Sequence, residues 1–170
     1  MRPFPLAALL LFACSSTRDV RSRDDNAPSS LELLKKLSGT WVAVDEQGKP
    51  SEQVSNVFRV TAGGSAVEET VFPGTEHEMV TLYFVRDGRL QLTHYCMKGN
   101  QPHMFAQPNP DEHALEFACD GTGVASEDEG HMHHALLRLT GDGRLESRWQ
   151  FREQGQETHL AEFELVRLAK

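Results

Sequence analysis

Short segments in which apolar and polar residues alternate recur along most of the chain, and they constrain its fold more than any other feature. No interval between them is long enough for a crossover helix between parallel strands. Two of the intervals, Asp87-Gly88 and Gly141-Asp142-Gly143, have the sequence of hairpin turns. The pattern predicts an all-β fold of about 8–10 strands, either an antiparallel up-and-down β-barrel or a sandwich, and a barrel leaves no unpaired edge.

The predicted strands can be placed by their alternation and by the turns between them. They are 41–44, 54–60, 65–72, 79–86, 89–97, 103–106, 114–119, 131–140, 144–152 and 158–168. A short N-terminal helix is predicted before them, capped by Ser30, with Leu31, Leu34 and Leu37 on one face and Gly39 ending it.

The N-terminus has the features of a secretion signal. Arg2 supplies a positive charge, and the apolar run 5–13 is too short to span a bilayer. Leu11-Phe12-Ala13-Cys14 resembles the bacterial lipobox, in which the signal is removed before the cysteine and the cysteine is acylated. The resemblance implies a lipoprotein that carries acyl chains such as palmitate on Cys14. The alternative is an ordinary signal peptide that leaves Cys14 as a free thiol.

Composition divides the chain into three parts and excludes one class of partner. We predict a signal peptide over 1–13, a lipidated Cys14 with a disordered polar tether over 14–29, and one domain over 30–170. The net charge is −8 and no basic stripe is present, so we expect no nucleic-acid partner. We also expect a monomer. Because Ser15 is not the aspartate that retains lipoproteins in the inner membrane, the lipobox resemblance implies the outer membrane of a bacterial cell envelope, facing the periplasm.

Two further stretches resemble known barrel proteins. Leu37-Ser38-Gly39-Thr40-Trp41 resembles the opening of lipocalin-like (calycin-type) barrels, where the tryptophan closes one end and the lumen holds a small ligand. The stretches Thr93-His94-Tyr95-Cys96 with Gly99-Asn100-Gln101-Pro102, and His131-Met132-His133, are similar to a group of bacterial barrel proteins. The second resemblance implies a fold and a site position, but no activity.

The leading functional hypothesis is a membrane-anchored barrel that binds a small apolar or amphipathic molecule in its lumen. Glu68 and Glu69 are adjacent on one strand, so one of them faces inward and needs a partner, for which His94, Tyr83 and Arg148 are candidates. The residues predicted to contact the ligand are Glu69, Tyr83, His94 and His133 in the lumen, and Asn100 and Gln101 at the barrel mouth.

A second hypothesis is a site for a transition metal or haem. His94 and Cys96 share one face of a strand, and His131 and His133 share one face of another. If the strands are neighbours, four nitrogen and sulfur ligands suited to zinc or copper would surround one point. The alternatives are a hydrogen-bonded structural network and a polar lining for an organic ligand.

The remaining possibilities concern the cysteines and catalysis. Cys96 could be a metal ligand, half of a disulfide with Cys119, or a buried thiol. An enzyme with an acid–histidine pair in the barrel mouth is conceivable, but no nucleophile motif or phosphate loop accompanies it. Binding is therefore favoured over catalysis.

Overall fold

A computed structural model of the chain describes residues 27–169. The predicted signal peptide, Cys14 and the tether as far as residue 26 lie outside the described residues. None of the helices in 27–169 has the length and apolar character needed to cross a membrane.

Ten antiparallel strands form one closed barrel, which confirms the all-β fold and selects the barrel over the sandwich. Each strand pairs with its neighbours in sequence, and β1 closes the ring by pairing with β10, with Val42 opposite Val166. The strands are β1 Gly39–Val44, β2 Pro50–Thr61, β3 Ala66–Val71, β4 Met79–Arg86, β5 Arg89–Tyr95, β6 His103–Gln107, β7 Ala114–Cys119, β8 His131–Leu139, β9 Leu145–Glu153 and β10 Gln156–Arg167.

The helix α1 spans Ala27–Lys36 and lies across one end of the barrel. The prediction that Ser30 caps it is wrong, because the helix begins three residues earlier, where Ala27 is fully buried. The helix thus begins before the capping signal in the sequence. The predicted apolar face is confirmed, since Leu31, Leu34 and Leu37 are all buried.

Trp41 closes the barrel end that α1 covers. Its side chain has no exposed surface, and its indole Nε1 donates a hydrogen bond of 2.8 Å to the Leu37 carbonyl. The Arg167 guanidinium lies 4.5 Å from the Trp41 ring centroid and donates to the carbonyls of Lys36 and Ser38. This arrangement is consistent with a lipocalin-like barrel.

Large side chains fill the barrel from the helix end to the level of His94. They interlock as a close-packed core rather than lining an open tube. The largest fully buried ones are Trp41, Tyr83, Phe117, Leu34, Leu37, Leu90, Leu92, Met104, Leu137, Leu145, Leu165 and His94. Antiparallel pairing places the loops 45–49, 72–78, 96–102, 120–130 and 154–155 together at the opposite end, which we call the open end.

Candidate functional site

A small cavity of about 200 Å³ lies at the open end, between the β7–β8 loop and the adjoining parts of β8 and β9. Its walls carry a thiol, two imidazoles, a guanidinium and two carboxylates. The lining residues are Cys119, Asp120, Gly121, Val124, Glu127, His131, His133 and Arg152.

Three side chains in this cavity have the chemistry of metal ligands. One potential ligand atom from each of Cys119, His131 and His133 lies within 4.8 Å of the other two. Around a tetrahedral zinc ion, ligand atoms are separated by about 3.3–3.8 Å, given bond lengths of about 2.0–2.3 Å. The trio therefore needs a contraction of about 1.5 Å at most to hold one ion.

The end of β7 and an irregularity at the start of β8 position these side chains. Cys119 is the last residue of β7, and β8 begins at His131 after the connecting loop. In the pairing of β8 with β9, Met132 lies opposite Phe151 and His134 opposite Gln150, so His133 is an extra residue without a partner. Such a bulge re-aims a side chain, and here the His131 and His133 rings are neighbours.

The two histidines belong to a series of hydrogen bonds in which the groups at the two ends determine which atoms donate. Arg152 donates from Nη1 to His133 Nε2 at 3.0 Å, since a guanidinium can only donate. At the other end the Glu129 carbonyl can only accept, so His131 donates to it from Nδ1 at 2.6 Å. The middle bond, 3.1 Å, therefore runs from His133 Nδ1–H to His131 Nε2. Both imidazoles are consequently neutral Nδ1–H tautomers.

The electrostatics around His133 agree with a neutral imidazole there. Burial lowers the pKa of His133 to about 4, with smaller contributions in the same direction from the neighbouring His134, Arg152 and His131. Burial raises the pKa of the Cys119 thiol, although the Gly121 N–H that points to its sulfur acts in the opposite direction. Without metal, the site thus presents neutral nitrogen donors and a protonated thiol.

Asn100 fixes the loop that precedes His131. Its side-chain amide donates to the Glu129 carboxylate at 3.1 Å and to the Gly130 carbonyl at 2.9 Å. The Glu129 carboxylate also accepts from the Ala125 N–H, and these two hydrogen bonds lower its pKa. Gln101, by contrast, is exposed, and its amide donates to Gly99 in its own turn at 3.0 Å. Asn100 therefore holds the loop that positions His131, whereas Gln101 stabilises a turn.

Glu69 and Tyr83 occupy a separate polar layer inside the barrel. Glu69 is fully buried, and its carboxylate accepts from Tyr83 Oη at 2.5 Å and from Asn56 Nδ2 at 2.6 Å. Glu68 faces outward and pairs with Arg59 at 3.0 Å. Burial raises the pKa of Glu69 to about 7, and the hydrogen bonds from Tyr83 and Asn56 oppose this shift. Of the three predicted partners of the inward glutamate, the structure places Tyr83 there.

His94 extends the same layer. Its Nδ1 lies 2.9 Å from Thr81 Oγ1, and Thr81 lies opposite Glu69 in the pairing of β3 with β4. The His94 ring lies against Trp149, with ring centroids 4.8 Å apart, and burial lowers its pKa to about 4. Among the described residues, His94 Nε2 has no hydrogen-bond partner. His94 is thus a core histidine in contact with Thr81 and Trp149.

The structure divides the four predicted metal ligands into two groups. It brings His131 and His133 together with Cys119, and the trio does not include His94 or Cys96. Cys96 and Cys119 are both free thiols, so the disulfide considered between them is not present. Cys119 was not among the predicted ligands, although its position at the end of a strand leading into the loop before His131 was visible in the sequence.

Comparison with known proteins adds no relative. No protein-family model matches the chain, and a search of curated proteins gives no match. The case for a function therefore depends on the barrel and on the geometry of the cavity at its open end.

Proposed function

We propose that this protein is an exported, lipid-anchored β-barrel of the bacterial cell envelope that binds a transition-metal ion at its open end. The observation that carries the proposal is the convergence of Cys119, His131 and His133, whose potential ligand atoms lie within 4.8 Å of one another. A mixed thiolate and imidazole donor set suits zinc and copper better than the oxygen-seeking ions Mg²⁺ and Ca²⁺.

The surroundings of His131 also support a metal site. Histidines that bind metals usually donate their other ring N–H to a carbonyl or carboxylate, which fixes the tautomer. His131 donates from Nδ1 to the Glu129 carbonyl at 2.6 Å, so Nε2 is the ring nitrogen that a metal would bind, in place of the hydrogen bond that Nε2 accepts from His133. The carboxylates of Asp120 and Glu127 line the same cavity and add negative charge.

The cavity size favours an ion over an organic ligand. At about 200 Å³ it is smaller than the roughly 300–1,000 Å³ of sites that hold drug-sized molecules, and haem is larger still. Within the barrel, Glu69, Tyr83 and His94 contact one another or other core side chains. A small apolar or amphipathic molecule in the lumen would have to displace that packing, so this remains the secondary proposal.

The lipid anchor and location are proposed on the sequence alone. Leu11-Phe12-Ala13-Cys14 resembles a lipobox, and the polar segment after it resembles a tether. Acylation of Cys14 with more than one chain would give stable membrane attachment, which a single chain does not. The absence of aspartate after Cys14 favours the outer membrane.

Metal titration tests the proposal directly. Purified protein is titrated with Co²⁺ and then Zn²⁺, using the cobalt spectrum to detect thiolate coordination and a chromogenic chelator to measure zinc affinity. We expect one ion per chain, loss of the sulfur-to-cobalt band in Cys119→Ser, and affinity at least about ten-fold lower in His131→Gln and His133→Gln.

Two neighbours outside the trio provide matched controls. Cys96→Ser removes the other free thiol of residues 27–169, and His134→Gln removes the histidine next to His133 in sequence. Both variants are expected to bind cobalt and zinc as the unmodified protein does. Binding that is absent in the unmodified protein, or equal in all five variants, would refute the proposed site.

A further inference from the structure

Arg152 occupies an unusual position in the candidate metal site. It lies on β9 directly opposite His131 of β8, and its guanidinium donates to His133 Nε2 at 3.0 Å. Its Nε is buried and has no hydrogen-bond partner among residues 27–169, and none of the ion pairs in that range includes Arg152. The half-buried Arg152 guanidinium is thus hydrogen bonded to the His133 imidazole rather than paired with a carboxylate.

This contact conflicts with metal binding whichever nitrogen of His133 is used. If the metal binds Nε2, it takes the lone pair that accepts from Arg152. If it binds Nδ1, the ring proton must move to Nε2, and that N–H would then face the N–H of Arg152. In both cases the guanidinium has to leave His133 before His133 can act as a ligand.

The Arg152 guanidinium has a second potential partner, a carboxylate on the neighbouring strand. Arg152 lies between β8 and β10, and its register partner on β10 is Glu157. Side chains directly opposite each other on adjacent strands are close enough to form an ion pair. Glu157 is exposed, so Arg152 can turn from the cavity to this carboxylate without unfolding the strand.

We propose that Arg152 is a displaceable internal cation that competes with the metal for His133 and moves to Glu157 when the metal binds. This inference rests on the proposed metal site. In the metal-free protein Arg152 holds the two imidazoles in one arrangement and neutralises part of the charge of the cavity carboxylates. On binding, the metal ion takes the place of the Arg152 guanidinium at His133. The apparent metal affinity therefore includes the free energy needed to break the contact between Arg152 and His133.

Zinc and cobalt affinities of four proteins test the proposal. Arg152→Met removes the competing N–H groups while keeping a long side chain, so we expect it to bind zinc about ten-fold or more tightly than the unmodified protein, as for loss of a charged hydrogen bond. Glu157→Gln removes the carboxylate to which Arg152 would move, and we expect this variant to bind zinc several-fold more weakly. Arg148→Met is the matched control, because Arg148 lies on the same strand but pairs with Glu162 at 3.1 Å outside the cavity. Its zinc affinity should stay within about two-fold, the effect of losing an exposed charge pair.

Each result supports or overturns the inference. Zinc affinity that is equal or weaker in Arg152→Met overturns it, and if the unmodified protein still binds zinc through the trio, the proposed function survives that failure. Absence of binding in all four proteins overturns both. If Arg152→Met does not fold, Arg152→Leu replaces it, because leucine also has no side-chain N–H group. Imidazole ¹⁵N spectra of the metal-free protein give a second measurement: they should show Nδ1–H tautomers for His131 and His133, and any other tautomer on His133 contradicts the Arg152 contact.

Discussion

Replacing Glu69 by glutamine should change how the stability of the barrel depends on pH. Glu69 is the fully buried carboxyl group that accepts hydrogen bonds from Tyr83 and Asn56. Burial raises its pKa from 4.5 to about 7 in the folded protein. Glutamine has nearly the same shape and cannot ionise, so it imitates the protonated carboxyl group.

The direction of the effect follows from proton linkage. Between about pH 4.5 and 7 the folded protein holds a proton on Glu69 that the unfolded chain has released. The stability contributed by this carboxyl is therefore fully present below about pH 4.5 and is lost as the pH rises through about 7. The difference between a pKa of 4.5 and a pKa of about 7, at about 1.4 kcal/mol for a ten-fold change in the ionisation constant, corresponds to about 3 kcal/mol.

Urea denaturation at intervals from pH 4.5 to 8 measures this effect. The free energy of unfolding of Glu69→Gln should be close to that of the unmodified protein at pH 4.5 and about 3 kcal/mol higher at pH 8. The lowered pKa of His94 also makes stability depend on pH, but it acts in both proteins and cancels in the difference.

Glu68→Gln is the matched control for this experiment. It removes the adjacent carboxylate, which pairs with Arg59 on the outer surface. We expect a difference of less than about 1 kcal/mol at every pH, as for exposed ion pairs. If the stability curves of Glu69→Gln and the unmodified protein run parallel from pH 4.5 to 8, the buried-carboxyl account is refuted.

Two further predictions concern the closed end and the anchor. Arg167→Met should lower the free energy of unfolding by about 1–2 kcal/mol, since it removes the cation over Trp41 and the hydrogen bonds to the helix carbonyls. Urea denaturation measures this loss of stability. A loss no larger than that of the surface variant Arg144→Met would contradict the prediction. Cys14→Ser should abolish incorporation of labelled palmitate in a bacterial host and release the protein from the membrane fraction, and unchanged labelling would exclude the proposed anchor.

Much of the barrel could be predicted from periodicity alone, because each strand buries one face. The bounds of β4 and β7 match the prediction, and the inward faces of Leu90, Leu92 and His94 follow from alternation. Strand β5 ends at Tyr95, two residues early, because the backbone of Cys96 closes a turn with Gly99 and Asn100. The errors thus lie at element ends, where tertiary hydrogen bonds decide the outcome.

Less of the candidate site than of the barrel could be predicted from the sequence. Its two histidines were identified by their spacing, but the third member, Cys119, comes from the other side of a long loop whose path has no periodic signal. The bulge at His133 also interrupts the alternation on which the prediction depended. The partners of His94, which are Thr81 and Trp149, required knowledge of how the barrel closes.

The position of α1 gives the molecule two structurally different ends, or poles. The chain that carries Cys14 joins the domain at Ala27, at the pole that the helix and Trp41 seal. Cys119 and His131 lie at the other pole, about 20 Å away for tilted strands of this length. The proposed acyl anchor at the sealed pole would therefore present the pole with the proposed metal site towards the aqueous space, where a soluble donor or acceptor of the ion could reach it without touching the membrane.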